Sequence, residues 1–210
     1  TTAGYNICIG NSAGNGGTTT GDHNIVMGHA AGDALTSASN SIMIGQSAGT
    51  SMTTGANNVS VGAETLHDCT SGAGNTAIGH AALKALETAS NNTAVGDYAA
   101  DAVTTANAIV AVGNGALGAC TTGADNVALG VGAGGAITTQ AYNTFLGHQS
   151  GRICTDGQNV SIGAYSFYDA TTAANTVCVG GWAGENITTG DGNVCIGKSS
   201  GSSVTTSPNN

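Results

Sequence analysis

Five histidines and six cysteines are the residues of this sequence whose side chains could bind a metal or act as nucleophiles. His29, His80 and His148 each follow a glycine of an internal repeat, but they lie three or four repeats apart. If each repeat forms one coil of a stack, successive histidines are roughly 15 to 20 Å apart. One zinc ion cannot bridge that distance within a chain. We therefore predict no metal site and no cofactor, and interpret these histidines as surface turn residues.

The cysteines occupy two positions of the repeat, where other copies carry small or aliphatic residues. Cys8, Cys178 and Cys195 share one position, and Cys69, Cys120 and Cys154 share the other. This pattern is typical of buried cysteines that act as small hydrophobic residues. Only Cys178 and Cys195 lie in adjacent repeats, near enough for a disulfide. We predict free thiols, with Cys178–Cys195 as the one candidate disulfide.

The acidic residues form no recognisable catalytic group. Asp33, Asp97, Asp101 and Glu185 fall at turn positions of the repeat, where solvation explains them. A catalytic pair of carboxylates or a nucleophile with its base needs a cleft that perturbs those groups. We therefore predict that the chain is not an enzyme.

Aromatic residues are rare, yet several gather near the end of the chain. Gln149, Tyr165 and Trp182 occupy the same repeat position in three successive copies, and Phe167 and Tyr168 are close in sequence. Exposed rings at a regular rise can stack on sugar rings. These five residues are therefore a candidate glycan-binding strip, with ordinary packing as the alternative interpretation.

Composition and charge exclude several classes of partner. Charged residues make up 7% of the chain, against about 25% in ordinary globular proteins. The formal net charge of -9, with only 3 Lys and Arg residues, would repel a phosphate backbone, so we predict no nucleic-acid binding. No run of 18 apolar residues exists, which predicts no membrane insertion.

One glycine recurs through the whole chain, and we call it the anchor glycine. Its copies are separated by 17 residues in nine intervals, by 18 in one and by 16 in another. The anchors are Gly10, Gly28, Gly45, Gly62, Gly79, Gly96, Gly113, Gly130, Gly147, Gly163, Gly180 and Gly197. An invariant glycine indicates positive φ or no room for a Cβ atom. This repeat leaves no room for a separate catalytic domain.

The residues around the anchor predict one short strand in each repeat. The residues one and three before the anchor are aliphatic or β-branched, so they share one face of a strand. We call them the flank columns, and expect them to point inward. A second inward position is expected seven residues after the anchor, at Leu35, Met52, Cys69, Leu86, Val103, Cys120, Ile137, Cys154, Ile187 and Val204.

The residue two before the anchor, which we call the centre column, is expected to point outward. It is small and apolar rather than polar, which indicates burial against another chain. The predicted interface of a homo-oligomer is Cys8, Val26, Met43, Ala77, Ala94, Ala111, Ala128, Phe145, Cys178 and Cys195. Three-fold symmetry is the most economical way to bury one such face on each chain.

Polar residues mark the turns. Asn stands four before the anchor in nine copies, and a stacked Asn column could hold a corner of each coil. Paired hydroxyl residues eight and nine after the anchor, such as Thr104 and Thr105, predict a second short strand. Because this face is flat and nearly uncharged, ordering of water at an ice-binding surface is one alternative function.

Each 17-residue unit must stack on its neighbours to bury its apolar side. The sequence therefore predicts an all-β fold, a parallel β-solenoid or β-roll of about twelve coils and roughly 55 to 60 Å in length. Residues 1–210 form a single repetitive segment, and polar caps are not visible at either end, so we expect it to belong to a longer fibre.

The phrases NTAIGHAAL (residues 75–83) and TTGADNVALGVGAG (residues 121–134) resemble the NTAxGxxAL and TTG repeats of phage tail fibre domains and related bacterial surface proteins. They are also similar to the heads of trimeric autotransporter adhesins, although the 17-residue period is longer than usual there. The resemblance covers all twelve repeats. It implies a left-handed parallel β-roll assembled as a trimer, with a role in reaching or binding a surface.

The resulting expectation is a structural rod of an extracellular or virion fibre. Its partners would be further copies of itself and a glycan or receptor on a host surface. A bacterial surface adhesin or self-assembling appendage is the first alternative, and an ice-binding solenoid is the second.

Overall fold

The computed structural model describes residues 4–17 and 20–209, and it is all-β. Its twelve strands, β1 to β12, are three residues long. They are Ile7–Ile9, Ile25–Met27, Ile42–Ile44, Val59–Val61, Thr76–Ile78, Thr93–Val95, Val110–Val112, Val127–Leu129, Thr144–Leu146, Val160–Ile162, Val177–Val179 and Val194–Ile196. Across these described ranges there is no helix, hence none with the length and apolarity needed to cross a membrane.

All twelve strands belong to one parallel sheet, in which they follow one another in sequence order. The register places equivalent repeat positions side by side, so that Thr76 pairs with Thr93 and Ile78 pairs with Val95. The chain therefore makes one circuit between each strand and the next. This arrangement confirms the predicted parallel β-solenoid with a coil of about 17 residues.

The anchor glycine ends each strand, and both predicted reasons for it are confirmed. The φ angles of the anchors lie between 115° and 138°, a region that side chains rarely adopt. In addition, a Cβ atom on Gly113 would lie 2.6 Å from the carbonyl oxygen of Gly130. The anchors thus stack backbone against backbone, and this close approach sets the path of every coil.

The predicted orientation of the strands is wrong. The side chains of the centre column are buried inside the coil, whereas those of the flank columns point outward and are half-buried or exposed. Alternation along a strand separates two faces but does not say which one is inside. Here the narrow interior beside the strand accepts one side chain from each coil.

The core combines the centre column with residues from the rest of each circuit. The predicted inward position seven after the anchor is confirmed, since Leu35, Met52, Leu86 and Ile137 are fully buried and Val204 packs against the core while partly exposed. A further inward position lies four after the anchor. Its residues have positive φ whether or not they are glycine.

Buried asparagines link neighbouring coils through a ladder of hydrogen bonds, which Ile109 interrupts. The backbone N–H of Asn92 donates to Oδ1 of Asn75 (3.0 Å), and its Nδ2 donates to the carbonyl of Ala106 (3.0 Å). The N–H of Ile109 in turn donates to Oδ1 of Asn92 (3.0 Å). The asparagines thus hold the corner as predicted, but the positive φ lies one residue earlier, as at Asn91 (62°).

The paired hydroxyl residues do not form the predicted second strand within residues 4–17 and 20–209. The first hydroxyl of several pairs instead bonds to the next coil. Oγ1 of Thr104 donates to the carbonyl of Thr121, and Oγ1 of Thr121 donates to that of Thr138, both at 3.2 Å. The second hydroxyl, as at Thr105 and Thr122, is exposed. Many of the hydroxyl groups on this face are therefore used in hydrogen bonds between neighbouring coils.

Candidate functional site

Nine of the ten residues predicted to form an oligomer interface lie inside the single chain, so that assignment is wrong for them. These nine are buried, and Cys8 in the first coil is exposed. The buried ones are Val26, Met43, Ala77, Ala94, Ala111, Ala128, Phe145, Cys178 and Cys195. Because their side chains fill the core of their own coil, they cannot also contact another chain.

The surface left apolar is the opposite face of the sheet, and we call it the aliphatic face. It consists of the flank columns of β1 to β12, all of them Ile, Val, Leu or Met apart from Thr76, Thr93 and Thr144. Ile78 and Leu129 are 39% and 41% exposed. No charged side chain interrupts this face from the first strand to the last.

Tyr165, Tyr168 and Trp182 form a compact group that we call the aromatic cluster. The rings of Tyr165 and Trp182 stack with centroids 5.5 Å apart and an interplanar angle of 14°. Tyr168 meets Tyr165 edge to face at 5.5 Å, and His148 does the same at 5.1 Å from the other side. The shared repeat position of Tyr165 and Trp182 thus places their rings in contact.

Phe167 does not belong to the predicted glycan strip, because its side chain is fully buried. It stands four after the anchor, at the inward position with positive φ (52°), and it fills the core. Of the other strip residues, Gln149, Tyr165 and Tyr168 are half-buried and Trp182 is exposed. Those four remain a candidate binding surface.

Two of the three cationic side chains of the protein lie at the aromatic cluster. The guanidinium carbon of Arg152 is 5.0 Å from the centre of the Tyr168 ring, and Nζ of Lys198 is 5.9 Å from that of Trp182. Such contacts orient a cation without neutralising its charge. The third cation, Lys84, is bound to Glu64 at 2.6 Å; this ion pair lowers the pKa of Glu64 and raises that of Lys84.

An open groove of about 380 Å³ lies beside Arg152. Its lining is Gly132, Gly135, Ala136, Gln149, Arg152 and Ile153. Gly132 and Gly135 stand at the second and fifth positions after the anchor. The next two coils carry Gln149 and Arg152, then Tyr165 and Tyr168, at these positions. The missing side chains leave the space of the groove. Arg152 and these glycines were not among the site residues predicted from the sequence. The rarity of cations and the local loss of side chains are the signals that distinguish them.

The three histidines that follow an anchor are exposed, as expected for surface turns. Nδ1 of His80 lies 3.1 Å from Asp97, and its ring contacts Tyr98. Within the part of the chain that the structure describes, no three His, Cys, Asp or Glu side chains come close enough together to hold a metal ion.

The cysteines are all free, and Cys178 and Cys195 lie on paired strands without a disulfide. Burial raises the pKa of Cys69 and of Cys154 to about 11, and burial together with the neighbouring Cys195 raises that of Cys178. Since the thiolate is the reactive form, buried neutral thiols are inert.

We expect an aromatic disulfide reagent at about pH 8 to modify only the exposed Cys8 rapidly, and the other thiols only after unfolding. The pKa of the Cys69 and Cys154 thiols is about 11 in the folded protein and near 9.0 in the unfolded chain. The contribution of these buried thiols to the free energy of unfolding is therefore fully present below about pH 9 and is lost as the pH rises towards 11. Rapid labelling of several thiols in the folded protein at pH 8 would contradict this burial.

Comparison of the chain with protein-family models, with curated proteins and with solved structures gave no match.

Proposed function

We propose that this chain is a structural rod of a surface or virion fibre, built from several copies packed side by side through their aliphatic faces. The observation that carries the proposal is the aliphatic face, which runs along all twelve strands without a charged side chain. A phage tail fibre is the form favoured by the repeat phrases, with three chains in the assembly. A bacterial surface adhesin is the second form that the same phrases support.

The size and continuity of the aliphatic face argue for a partner. Twelve strands at about 4.8 Å spacing extend roughly 50 to 60 Å, so two columns of side chains cover on the order of 500 Å². A continuous apolar patch of this size is at the upper end of what soluble monomers expose, and such patches often mark interaction sites. Burying this face against another chain removes apolar side chains from water at about 25 cal/mol per Å².

A second copy of the chain is the partner that fits this face best. The aliphatic face is a long strip of constant width whose side chains repeat at the spacing of the strands. It is matched best by a strip of the same length and spacing, and a second identical chain supplies one by symmetry. The absence of charge along the face, as seen in β1 to β12, also removes the like-charge repulsion that would oppose self-association of a chain with net charge -9.

Lysine substitutions on the aliphatic face test the proposal. We expect the native protein to scatter light as a multiple of its 20.1 kDa chain mass, with three copies for a trimer. Ile78→Lys together with Leu129→Lys should shift it to the single-chain mass at the same concentration, because a closed interface would bury both charges.

A matched control places the same charges on another face. Thr105 and Thr122 are exposed in the hydroxyl column, so Thr105→Lys with Thr122→Lys should leave the assembly unchanged. Circular dichroism checks that both variants keep the β fold. A native protein that is a folded monomer at micromolar concentration would overturn the proposal.

A further inference from the structure

We propose that the groove beside the aromatic cluster binds a carboxylate-bearing sugar, with Arg152 holding the carboxylate. The inference rests on the proposed function, since a fibre that reaches a surface needs a group that recognises it. It adds a carboxylate to the ligand, and Arg152 as the anchoring residue, where the sequence predicted only a candidate glycan-binding strip.

Charge is the first argument. In a chain of net charge -9 with 3 Lys and Arg residues, an anionic ligand is held most strongly beside an unpaired cation. Across residues 4–17 and 20–209, Arg152 and Lys198 form no ion pair with a carboxylate, whereas Lys84 does. Both unpaired cations lie against the aromatic cluster.

Hydrogen-bonding capacity is the second argument. The side chains of Gln149 and Arg152 line the groove, and neither forms a side-chain hydrogen bond to another described residue. The planar guanidinium can bind a carboxylate through two parallel bonds. The Gln149 amide beside it can donate to one sugar hydroxyl and accept from another.

Shape is the third argument. Gly115 and Gly118 on one coil and Gly132 and Gly135 on the next carry no side chains beyond the backbone, and a Cβ on Gly115 would meet no atom within 4 Å. These glycines leave a floor without side chains next to Gln149 and Arg152, and the Asp101 carboxylate borders its far end, 3.5 Å from where a Cβ of Gly118 would lie. A flat pyranose ring fits such an open groove better than a branched or globular ligand does.

The aromatic cluster extends the site in one direction. Trp182 lies two coils beyond Arg152 and is 40% exposed, so it offers a ring face for a further sugar unit of a chain that starts in the groove. Glu185 and Asp169 also lie on these later coils. Because these carboxylates and that of Asp101 beside Gly118 repel anions, the sugar carboxylate is placed next to Arg152 at Gly132 and Gly135, and neutral units lie near Trp182.

The experiment titrates short oligogalacturonides into the whole chain at low salt by calorimetry, and follows the emission of Trp182, the single tryptophan. The same oligosaccharides with methyl-esterified carboxylates are the matched ligand control. We expect binding of the acid form, and at least about tenfold weaker binding of the ester, because a charge-assisted bond to the guanidinium is lost.

Variants locate the site. Arg152→Ala should weaken binding about tenfold or more, and Arg152→Lys should retain part of it because one charge remains without the planar fork. Lys84→Ala makes the same change in net charge away from the groove and should leave binding unchanged. Circular dichroism verifies the fold of each variant.

Equal affinity for acid and ester, or equal weakening by Arg152→Ala and Lys84→Ala, would overturn the inference. Light scattering on the same samples separates this failure from that of the proposed function. An assembled rod that ignores the acid sugar refutes only the site, whereas a monomer that binds it refutes only the assembly.

Discussion

Replacing Gly113 by alanine is expected to lower the free energy of unfolding by about 3 to 5 kcal/mol. Gly113 has φ of 129°, and a Cβ atom there would lie 2.6 Å from the carbonyl oxygen of Gly130 and 2.7 Å from its carbon. Backbone of a neighbouring coil cannot move aside as a side chain can. The substitution therefore separates two coils at the end of their strands.

Gly115→Ala is the matched control in the same coil. Gly115 also has positive φ (62°), but a Cβ there would meet nothing within 4 Å. Left-handed α geometry costs an alanine only about 1 to 2 kcal/mol. Urea unfolding followed by far-ultraviolet circular dichroism should show a much lower midpoint for Gly113→Ala than for Gly115→Ala. Equal midpoints would mean that stacking of the anchors does not limit the fold.

Phe145→Ala is expected to lower the free energy of unfolding by about 3 to 5 kcal/mol through the cavity that it leaves. Phe145 is in the centre column and is fully buried. Its ring occupies the space beside Gly151, the residue four after the anchor of the same coil, and a Cβ on Gly151 would overlap that ring.

A second substitution should restore part of this loss. In another coil, Ala111 is equivalent to Phe145 and Leu117 is equivalent to Gly151, so the large side chain stands four after the anchor there. Leu117 adopts the required positive φ, 54°. Phe145→Ala with Gly151→Leu reproduces that pair. We expect the double variant to recover about 2 kcal/mol relative to the sum of the single effects.

The single variant Gly151→Leu completes this cycle. It should destabilise the protein by about 1 to 3 kcal/mol, because its side chain and the Phe145 ring compete for one space. Thermal and urea unfolding of the native protein and the three variants measure the coupling. Strictly additive effects would show that the two positions do not share a volume.

The side chains two before and four after the anchor are complementary in size, and this explains which part of the fold could be predicted from the sequence. The spacing of the anchors predicts the coils, because each copy needs the same backbone conformation. The choice of inward face was wrong because the flank columns are more apolar than the centre column. The deciding signal lies between columns: Phe145 accompanies Gly151, whereas Ser161 accompanies Phe167, as expected for two side chains that share one interior space.

The candidate site was predictable only in part, for related reasons. The stack of Tyr165 on Trp182 follows from their shared repeat position, because equivalent positions lie side by side in a solenoid. Burial of Phe167 depends on an inward position with positive φ, which the sequence alone did not reveal. The contact of Arg152 with Tyr168 depends on the direction of a long side chain, which repeat spacing does not determine.

The stacking of parallel strands in chain order also determines how the molecule responds to a pulling force. Hydrogen bonds between coils, such as the one from the N–H of Val110 to the carbonyl of Asn126, point along the stack, while the covalent chain circles around it. Tension along the axis is therefore borne by those bonds, and the weakest junction between two coils opens first. When one coil of 17 residues opens, about 4.8 Å of rod is replaced by roughly 55 to 60 Å of extended chain. Under load the molecule would thus lengthen in discrete steps, one coil at a time, before any covalent bond is strained.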